Sequence, residues 1–242
     1  RIVVTENRCD TYEIDREIVA GTGAELVVRD CRTRAELLEA VEDAVAALVN
    51  LQHYDAEVIG LMKRCRIISR YGIGYDNVDI NTASERGIWV ANVPDYGAEV
   101  PVSEHAVALL LGCARKIPLM NQSVKNGLWD MQIYRPVHTI NGKKLGIIGY
   151  GNIGRAVAAK MAAFDLAQIL IYDPFIETPP PLNCPCRRVE DLAQLLAESD
   201  FITIHTPMTD MTRGMIGREE ISLMKDGVIL VNTARGGIIN EA

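Results

Sequence analysis

The stretch that decides the fold is LGIIGYGNIGRAVAAKM, at residues 145–161. An apolar run is followed by glycines at 149, 151 and 154 and then by a segment with helical spacing. A G-x-G-x-x-G pattern between a strand and a helix predicts the turn that binds the diphosphate of a dinucleotide. Gly149 allows the tight turn, Gly151 lets the backbone approach the phosphates, and Gly154 lets the helix pack against the strand. The free N–H groups at the helix start would hold the phosphates.

An acidic residue ends the next predicted strand. Asp173 follows the apolar run at 169–172 and lies 19 residues after Gly154. Its carboxylate can accept hydrogen bonds from both ribose hydroxyls and would repel a 2′-phosphate, so it favours NAD over NADP. The alternative is a structural glycine turn beside an incidental surface Asp. The residues assigned to the cofactor at this turn are Gly149, Tyr150, Gly151, Asn152, Ile153, Gly154 and Asp173.

Short β-branched runs alternate with helical segments on both sides of this motif. The predicted strands lie at residues 2–4, 26–28, 45–49, 67–69, 88–90, 145–148, 169–172, 187–189, 201–204 and 228–231. Strands that alternate with helices form βαβ units, in which a parallel sheet is covered by helices on both faces. The sequence therefore predicts an α/β protein with two doubly wound parallel sheets.

The two blocks of strands meet near residue 100. A helix that begins near Val102 and ends near Lys116 is apolar around most of its circumference, so we expect it to be buried inside a domain or between subunits. Irregular polar sequence is expected at 121–141. We predict a first domain at residues 1–99 and a second at 100–242. The second block has five strands where a Rossmann domain has about six, so we expect it to be incomplete at its C-terminus.

Composition excludes several classes of protein. Of the 242 residues, 48% are hydrophobic and 24% charged, as in globular chains, and the net charge of −7 argues against a nucleic-acid partner. No apolar stretch reaches the ~18 residues of a membrane span. The six scattered cysteines predict reduced, mostly buried thiols in a cytoplasmic protein. Cys184-Pro185-Cys186 lacks the spacing and the second ligand pair of a zinc site, so no metal is predicted.

Several motifs resemble, in the same order, the NAD-dependent D-isomer-specific 2-hydroxyacid dehydrogenases. They are YGIGYDNVD at 71–79, NVP at 92–94, SEH at 103–105, the glycine motif with Asp173, HTP at 205–207 and VNTARGG at 231–237. The resemblance covers most of the chain from residue 71 onward. It implies a flavodoxin-like substrate domain followed by a Rossmann NAD-binding domain. Residues 92–97, NVPDYG, are most similar to the branch of C-terminal-binding proteins.

The resemblance implies further roles. Ile73 and Gly74 correspond to the loop that binds the substrate carboxylate, with Ile73 also near the nicotinamide. Arg235 corresponds to the catalytic arginine, which contacts substrate and cofactor and whose planar fork can clamp a 2-keto acid. The other cofactor contacts that the resemblance implies are Thr206, Pro207, Thr212, Thr233 and Ala234. Selectivity for the substrate side chain would lie in the loops at 51–54 and 95–97.

In this family a His held by a Glu supplies the proton, and none of the four histidines matches it. We expect His53 at the surface, His105 packed in the long helix and His138 in the irregular connection, whereas His205 matches the cofactor loop. By the resemblance, the family's Glu and His lie beyond residue 242, together with a tail that completes the first domain. Asp165 stands where the family usually has glycine.

These observations favour an oxidoreductase that transfers a hydride between NAD(H) and a small D-2-hydroxy acid or 2-keto acid. The long helix resembles the family's dimer helix and implies a homodimer, and residues 1–242 alone are expected to be inactive. Two alternatives stay open. One is an NAD-sensing dimeric interaction protein similar to the C-terminal-binding proteins, with a partner on the first domain. The other is a formate dehydrogenase.

Overall fold

The computed structural model describes residues 1–130, 132–179 and 181–242 and divides into two compact units. Unit 1 is Arg1–Tyr96 and unit 2 is Gly97–Ala242, a division three residues before the expected one. Over the described residues, each unit contains a parallel five-stranded sheet, which confirms the expected pair of doubly wound α/β domains. Met131, within the expected irregular connection, lies outside the described residues.

Unit 1 has the strand order β2-β1-β3-β4-β5. Its strands are β1 (Ile2–Val4), β2 (Leu26–Val28), β3 (Ala46–Val49), β4 (Ile67–Arg70) and β5 (Trp89–Ala91). Its helices are α1 (Glu13–Ala20), α2 (Arg34–Val41), α3 (Ala56–Leu61) and α4 (Ile80–Glu85). The order reverses between β1 and β3, and this is the flavodoxin-like order, in which ligands bind beyond the carboxyl ends of the strands at that point.

Unit 2 has the order β10-β9-β6-β7-β8, which is the Rossmann order 3-2-1-4-5 when β6 is counted as the first strand. Its strands are β6 (Lys144–Ile148), β7 (Gln168–Tyr172), β8 (Cys186–Arg188), β9 (Phe201–Ile204) and β10 (Ile229–Asn232). Its helices are α5 (Glu99–Ala114), α6 (Ile117–Lys125), α7 (Asn152–Met161), α8 (Leu192–Glu198) and α9 (Arg218–Leu223). Among the described residues, no helix is long and apolar enough to cross a membrane.

Both faces of each sheet are buried. Neighbouring residues of a strand point to opposite faces, and Val3 and Val4 accordingly belong to separate apolar clusters. Ile147 and Ile148 are divided between two clusters of unit 2 in the same way. A parallel sheet covered on both faces explains why its strands are continuous apolar runs in the sequence.

The long helix differs from its expectation. α5 runs from Glu99 to Ala114, and Lys116, expected inside it, has a left-handed backbone (φ +56°) that ends it. The helix is buried on one side only, since Leu109 is 38% exposed. The structure adds α6 where an irregular segment was expected from residue 121. Only Ser123 of α6 is buried, so the helix lacks the apolar core face by which sequence patterns reveal helices.

Asp165 and the cysteines were also singled out in the sequence. Asp165, where the family usually has glycine, has φ +52°, a left-handed conformation that glycine adopts freely and that aspartate tolerates. The expectation of mostly buried cysteines is wrong. Cys31 and Cys65 are buried, whereas the other four are exposed or partly exposed.

Candidate functional site

The glycine turn lies between β6 and α7. Gly149 has φ +89°, and a Cβ there would approach the carbonyl carbon of His205 to 2.8 Å and the nitrogen of Thr206 to 2.9 Å. A Cβ on Gly154 would collide with the carbonyl oxygen of Gly149. Both positions therefore need glycine for the chain to fold, because the β6 end, the β9 end and α7 approach too closely for a side chain.

Gly151 is different, since a Cβ there would meet no atom within 4 Å. Gly151 precedes the first residue of α7, and in the described part of the chain no side chain caps this helix. The N–H groups of a first helical turn have no partner within the helix. Gly151 and Asn152 are exposed. The turn thus presents free backbone donors with open space in front of them, as a diphosphate requires.

Asp173, directly after β7, lies beside this turn. Its Oδ2 accepts a hydrogen bond from the backbone N–H of Tyr150 at 2.7 Å, and its Oδ1 accepts one from the N–H of Phe175 at 2.8 Å. The carboxylate is partly exposed, so it can still accept hydrogen bonds from a ribose. The Tyr150 side chain is fully buried, and burial raises the pKa of its hydroxyl. Only the backbone of Tyr150 therefore faces the predicted cofactor.

Two threonine hydroxyls complete the same edge of the sheet. Thr206 follows β9 and Thr233 follows β10, and the Oγ1 atoms of both are buried without a hydrogen-bond partner among the described residues. A buried hydroxyl without a partner is costly, so these atoms fit a bound polar group. Thr212 is braced within its own loop, because its hydroxyl donates to the Pro207 carbonyl at 2.6 Å.

The backbone that carries Arg235 is held by Asn232. The Asn232 side chain donates to the Arg235 carbonyl at 2.7 Å and accepts from the Ala234 N–H at 2.9 Å. Arg235 Nη1 donates to the Ala234 carbonyl at 2.9 Å. No role for Asn232 was expected from the sequence. The sequence feature that could have identified it is a polar residue at the end of an apolar strand, three positions before Arg235.

Unit 1 holds Ile73 and Gly74 in the loop after β4. Gly72 has φ +132°, which explains the glycine that precedes them. The Asn92 side chain donates to the Ile73 carbonyl at 2.7 Å, and the Val93 N–H donates to the Gly72 carbonyl at 3.1 Å. The loop therefore stands at the carboxyl end of its strand, where the predicted anion-binding backbone is needed.

The four histidines differ in their surroundings. Burial lowers the pKa of His205 to about 4, and its Nε2 is hydrogen-bonded to Thr203 Oγ1 at 2.9 Å, so the ring is neutral at pH 7. His53 is exposed, as expected, and His138 is partly buried. His105 is exposed, so the expectation that it is packed in the helix is wrong. Within the described ranges, no three His, Cys, Asp or Glu side chains are grouped to hold a metal ion.

Unit 2 thus brings the free N–H groups of the glycine turn, the Asp173 carboxylate and two hydroxyls without a partner among the described residues to the carboxyl edge of one sheet. These residues fit an adenine dinucleotide. Comparison with known proteins agrees. Residues 107–242 match the family model described as "D-isomer specific 2-hydroxyacid dehydrogenase, NAD binding domain".

Among curated proteins, the chain is 43% identical over 221 residues to D-3-phosphoglycerate dehydrogenase of Archaeoglobus fulgidus, covering 91% of this chain and 41% of that protein. It is 47% identical over 187 residues to hydroxypyruvate reductase of Thermotoga maritima, covering 77% of this chain and 58% of that protein. Among solved structures, D-lactate dehydrogenase from Aquifex aeolicus, complexed with NAD and lactic acid, superposes with a TM-score of 0.88 at 29% identity, covering 99% of this chain and 71% of that chain. The chain thus spans about two fifths of the archaeal relative's length.

Proposed function

The chain belongs to the D-isomer-specific 2-hydroxyacid dehydrogenase family, and on that premise we propose that it forms part of an oxidoreductase that interconverts a small D-2-hydroxy acid and its 2-keto acid. Unit 2 is the NAD-binding domain. The observation that carries the proposal is the Asp173 carboxylate, held at the glycine turn by the Tyr150 N–H at 2.7 Å. A carboxylate at this position accepts the ribose hydroxyls of NAD and repels the 2′-phosphate of NADP.

Backbone and side chains share the binding of the cofactor. The N–H groups that follow Gly151 would take the diphosphate and Asp173 the ribose, while the Thr206 and Thr233 hydroxyls offer polar contacts at the ends of β9 and β10. Bound NADH supplies the hydride for the keto carbon. These contacts would fix the position of the cofactor. Hydride transfer requires this, because the donor and acceptor carbons must be held in the correct geometry.

We assign the substrate contacts to Arg235 and to the loop that holds Ile73 and Gly74. The Arg235 guanidinium would bind the carboxylate and polarise the keto group, because its planar fork matches two oxygens and its charge stabilises negative charge that develops on the carbonyl oxygen. The backbone at Ile73 and Gly74 would donate hydrogen bonds to the carboxylate. The proposal assigns no acid role to His53, His105, His138 or His205.

The test is NADH oxidation by the full-length protein with glyoxylate, hydroxypyruvate, pyruvate and phosphohydroxypyruvate, repeated with NADPH. We expect turnover of at least one of these acids and a preference for NADH. NADH binding without turnover of any of them would favour the NAD-sensing interaction protein. NAD reduction that depends on formate would identify a formate dehydrogenase instead.

The proposal includes a homodimer built on α5, α6 and the residues that follow. Large exposed apolar side chains are concentrated in this part of unit 2, and Trp129 is 87% exposed. They are Val100, Leu109, Ile117, Leu119, Val124, Leu128, Trp129 and Ile133. Exposed apolar surface of this extent is typical of a protein–protein interface, and a second copy of the chain would bury it.

We also propose a cytoplasmic location. Cys9 and Cys113 are exposed, and exposed thiols persist in a reducing compartment. Cell fractionation with an antibody to the protein would test this, and recovery in a secreted or membrane fraction would contradict it.

A further inference from the structure

Glu6, two residues beyond the end of β1, places a carboxylate beside the loop that follows β3. The residue is only 7% exposed. Its Oε2 accepts hydrogen bonds from three successive backbone N–H groups, those of Asn50 at 2.7 Å, Leu51 at 2.6 Å and Gln52 at 3.1 Å. Successive N–H groups that converge on one point form an anion-binding nest. In this loop the nest is occupied by the side-chain carboxylate of Glu6.

The carbonyl side of the same loop is held by Asn77. Its Nδ2 donates to the carbonyl of Asn50 at 3.0 Å and to that of Gln52 at 2.8 Å. Asn77 belongs to the loop after β4, which also carries Ile73 and Gly74. The N–H groups of the loop at 50–52 are therefore held by Glu6, which follows β1, and two of its carbonyl groups are held by Asn77, which follows β4.

This loop lies at the topological switch point of unit 1, between the carboxyl ends of β1 and β3. In open α/β sheets, ligands bind in the crevice at that point. A depression of about 340 Å³ opens there, lined in part by Glu6, Leu51, Gln52 and His53. Leu51 is 52% exposed although its N–H is bound to Glu6. The loop thus presents an apolar side chain from an immobilised backbone.

We propose that Glu6 and Asn77 are positioning residues that set selectivity for the substrate side chain by fixing the loop at 50–52. This inference rests on the proposed function. Neither residue needs to contact substrate, because the backbone they hold determines where Leu51 and its neighbours stand. A loop released from Glu6 samples several conformations, so it discriminates less between short and long substrate side chains.

The kinetic test uses the full-length protein and 2-keto acids of increasing side-chain length, from glyoxylate through pyruvate and 2-ketobutyrate to 4-methyl-2-oxopentanoate. In Glu6→Ala we expect the ratio of kcat/KM between the best and worst acids to fall by about tenfold or more, with KM for NADH unchanged. Glu6→Gln keeps one oxygen acceptor, so its loss should be smaller. Glu17→Gln, on the exposed side of α1, is the control.

A purely structural role predicts a different result. It would lower stability, or lower kcat/KM by one common factor for all the acids, and would leave the ratio unchanged. An unchanged ratio in folded Glu6→Gln and Asn77→Ser overturns the proposal, whatever the change in stability. These milder variants keep the test decisive if Glu6→Ala does not fold.

Amide hydrogen exchange tests the contacts independently of activity. In Glu6→Gln we expect the amides of residues 50, 51 and 52 to exchange about tenfold faster or more, while the amides of β3 keep their protection. Unchanged exchange would overturn the inference. If the wild type turns over no keto acid while the exchange result holds, the proposed function has failed, and the selectivity role fails with it, but the contacts of Glu6 stand.

Discussion

The backbone N–H of Tyr150 and the carboxylate of Asp173 are joined by a 2.7 Å hydrogen bond, although 23 positions separate the two residues in the chain. The bond follows from the parallel pairing of β6 with β7, in which Ile148 lies opposite Tyr172. Both strands therefore end at the same level, and the turn after one meets the acid after the other. This pairing places the carboxylate that we propose for the ribose beside the backbone that we propose for the diphosphate.

Replacement of Asp173 by Ala should weaken NADH binding by about 10- to 100-fold, because hydrogen bonds to a charged acceptor are lost. NADPH binding should weaken less, since repulsion of the 2′-phosphate is lost at the same time. Isothermal titration with each nucleotide measures both effects. Asp226→Ala, an exposed carboxylate before β10, is the matched control. Equal losses for the two nucleotides would contradict the ribose assignment.

Two glycines of the turn should respond in opposite ways. Gly154→Ala should lower the free energy of unfolding by about 1–3 kcal/mol or more, because its Cβ has no room against the Gly149 carbonyl. Gly151→Ala should leave the unfolding free energy within about 0.5 kcal/mol yet weaken NADH binding, since its Cβ would occupy the space in front of α7. Urea denaturation and nucleotide titration separate the two effects. A Gly151→Ala protein that binds NADH normally would contradict the predicted position of the diphosphate.

Arg235→Lys should lower kcat/KM for the keto acid by roughly 10²- to 10³-fold with NADH affinity nearly unchanged, because a lysine cannot reproduce the two-pronged contact. Steady-state kinetics on the full-length protein and a separate NADH titration give the two quantities. Arg218→Lys, at the exposed start of α9, serves as control. A loss confined to NADH affinity would remove Arg235 from the substrate site.

His205 should make stability depend on pH. Its pKa is about 4 in the fold, against 6.5 for the solvated side chain. The unfolded chain therefore binds more protons between these values, and stability falls as pH drops from 6.5 towards 4. Between pH 7.5 and 4.5, wild type should lose about 2–3 kcal/mol more unfolding free energy than His205→Gln. Urea titrations of both proteins at both pH values measure the difference, and parallel losses would show that the buried ring does not titrate as described.

Leu119→Glu should convert the proposed dimer to a monomer, because a charged side chain would be buried in an apolar interface. Sedimentation equilibrium gives the mass of each species. Ile14→Glu, an exposed apolar residue of unit 1, should leave the association state unchanged. If Leu119→Glu and wild type sediment alike, α6 is outside any interface.

The expectations that held depend on local sequence. Apolar runs marked the strands because a parallel sheet buries both of its faces, and the glycine spacing located the turn between β6 and α7 because only glycine satisfies its backbone and packing. Asp173 was predicted from its distance from Gly154 in the sequence, and the structure places it beside the glycine turn. α6 was missed because a mostly exposed helix carries little of the apolar periodicity on which such predictions depend.

By itself, then, the sequence determined the two doubly wound sheets, the approximate strand ends and the glycine turn between β6 and α7, since each is encoded within one βα unit. Tertiary structure alone decided which groups from distant parts of the sequence meet. It joined Glu6 to Leu51, 45 positions away, and left the Thr206 and Thr233 hydroxyls at one sheet edge without a partner in the part of the chain that the structure describes. The physical reason is that parallel strands collect their carboxyl ends at a common edge, and the strand order, which no local pattern encodes, determines which ends are neighbours.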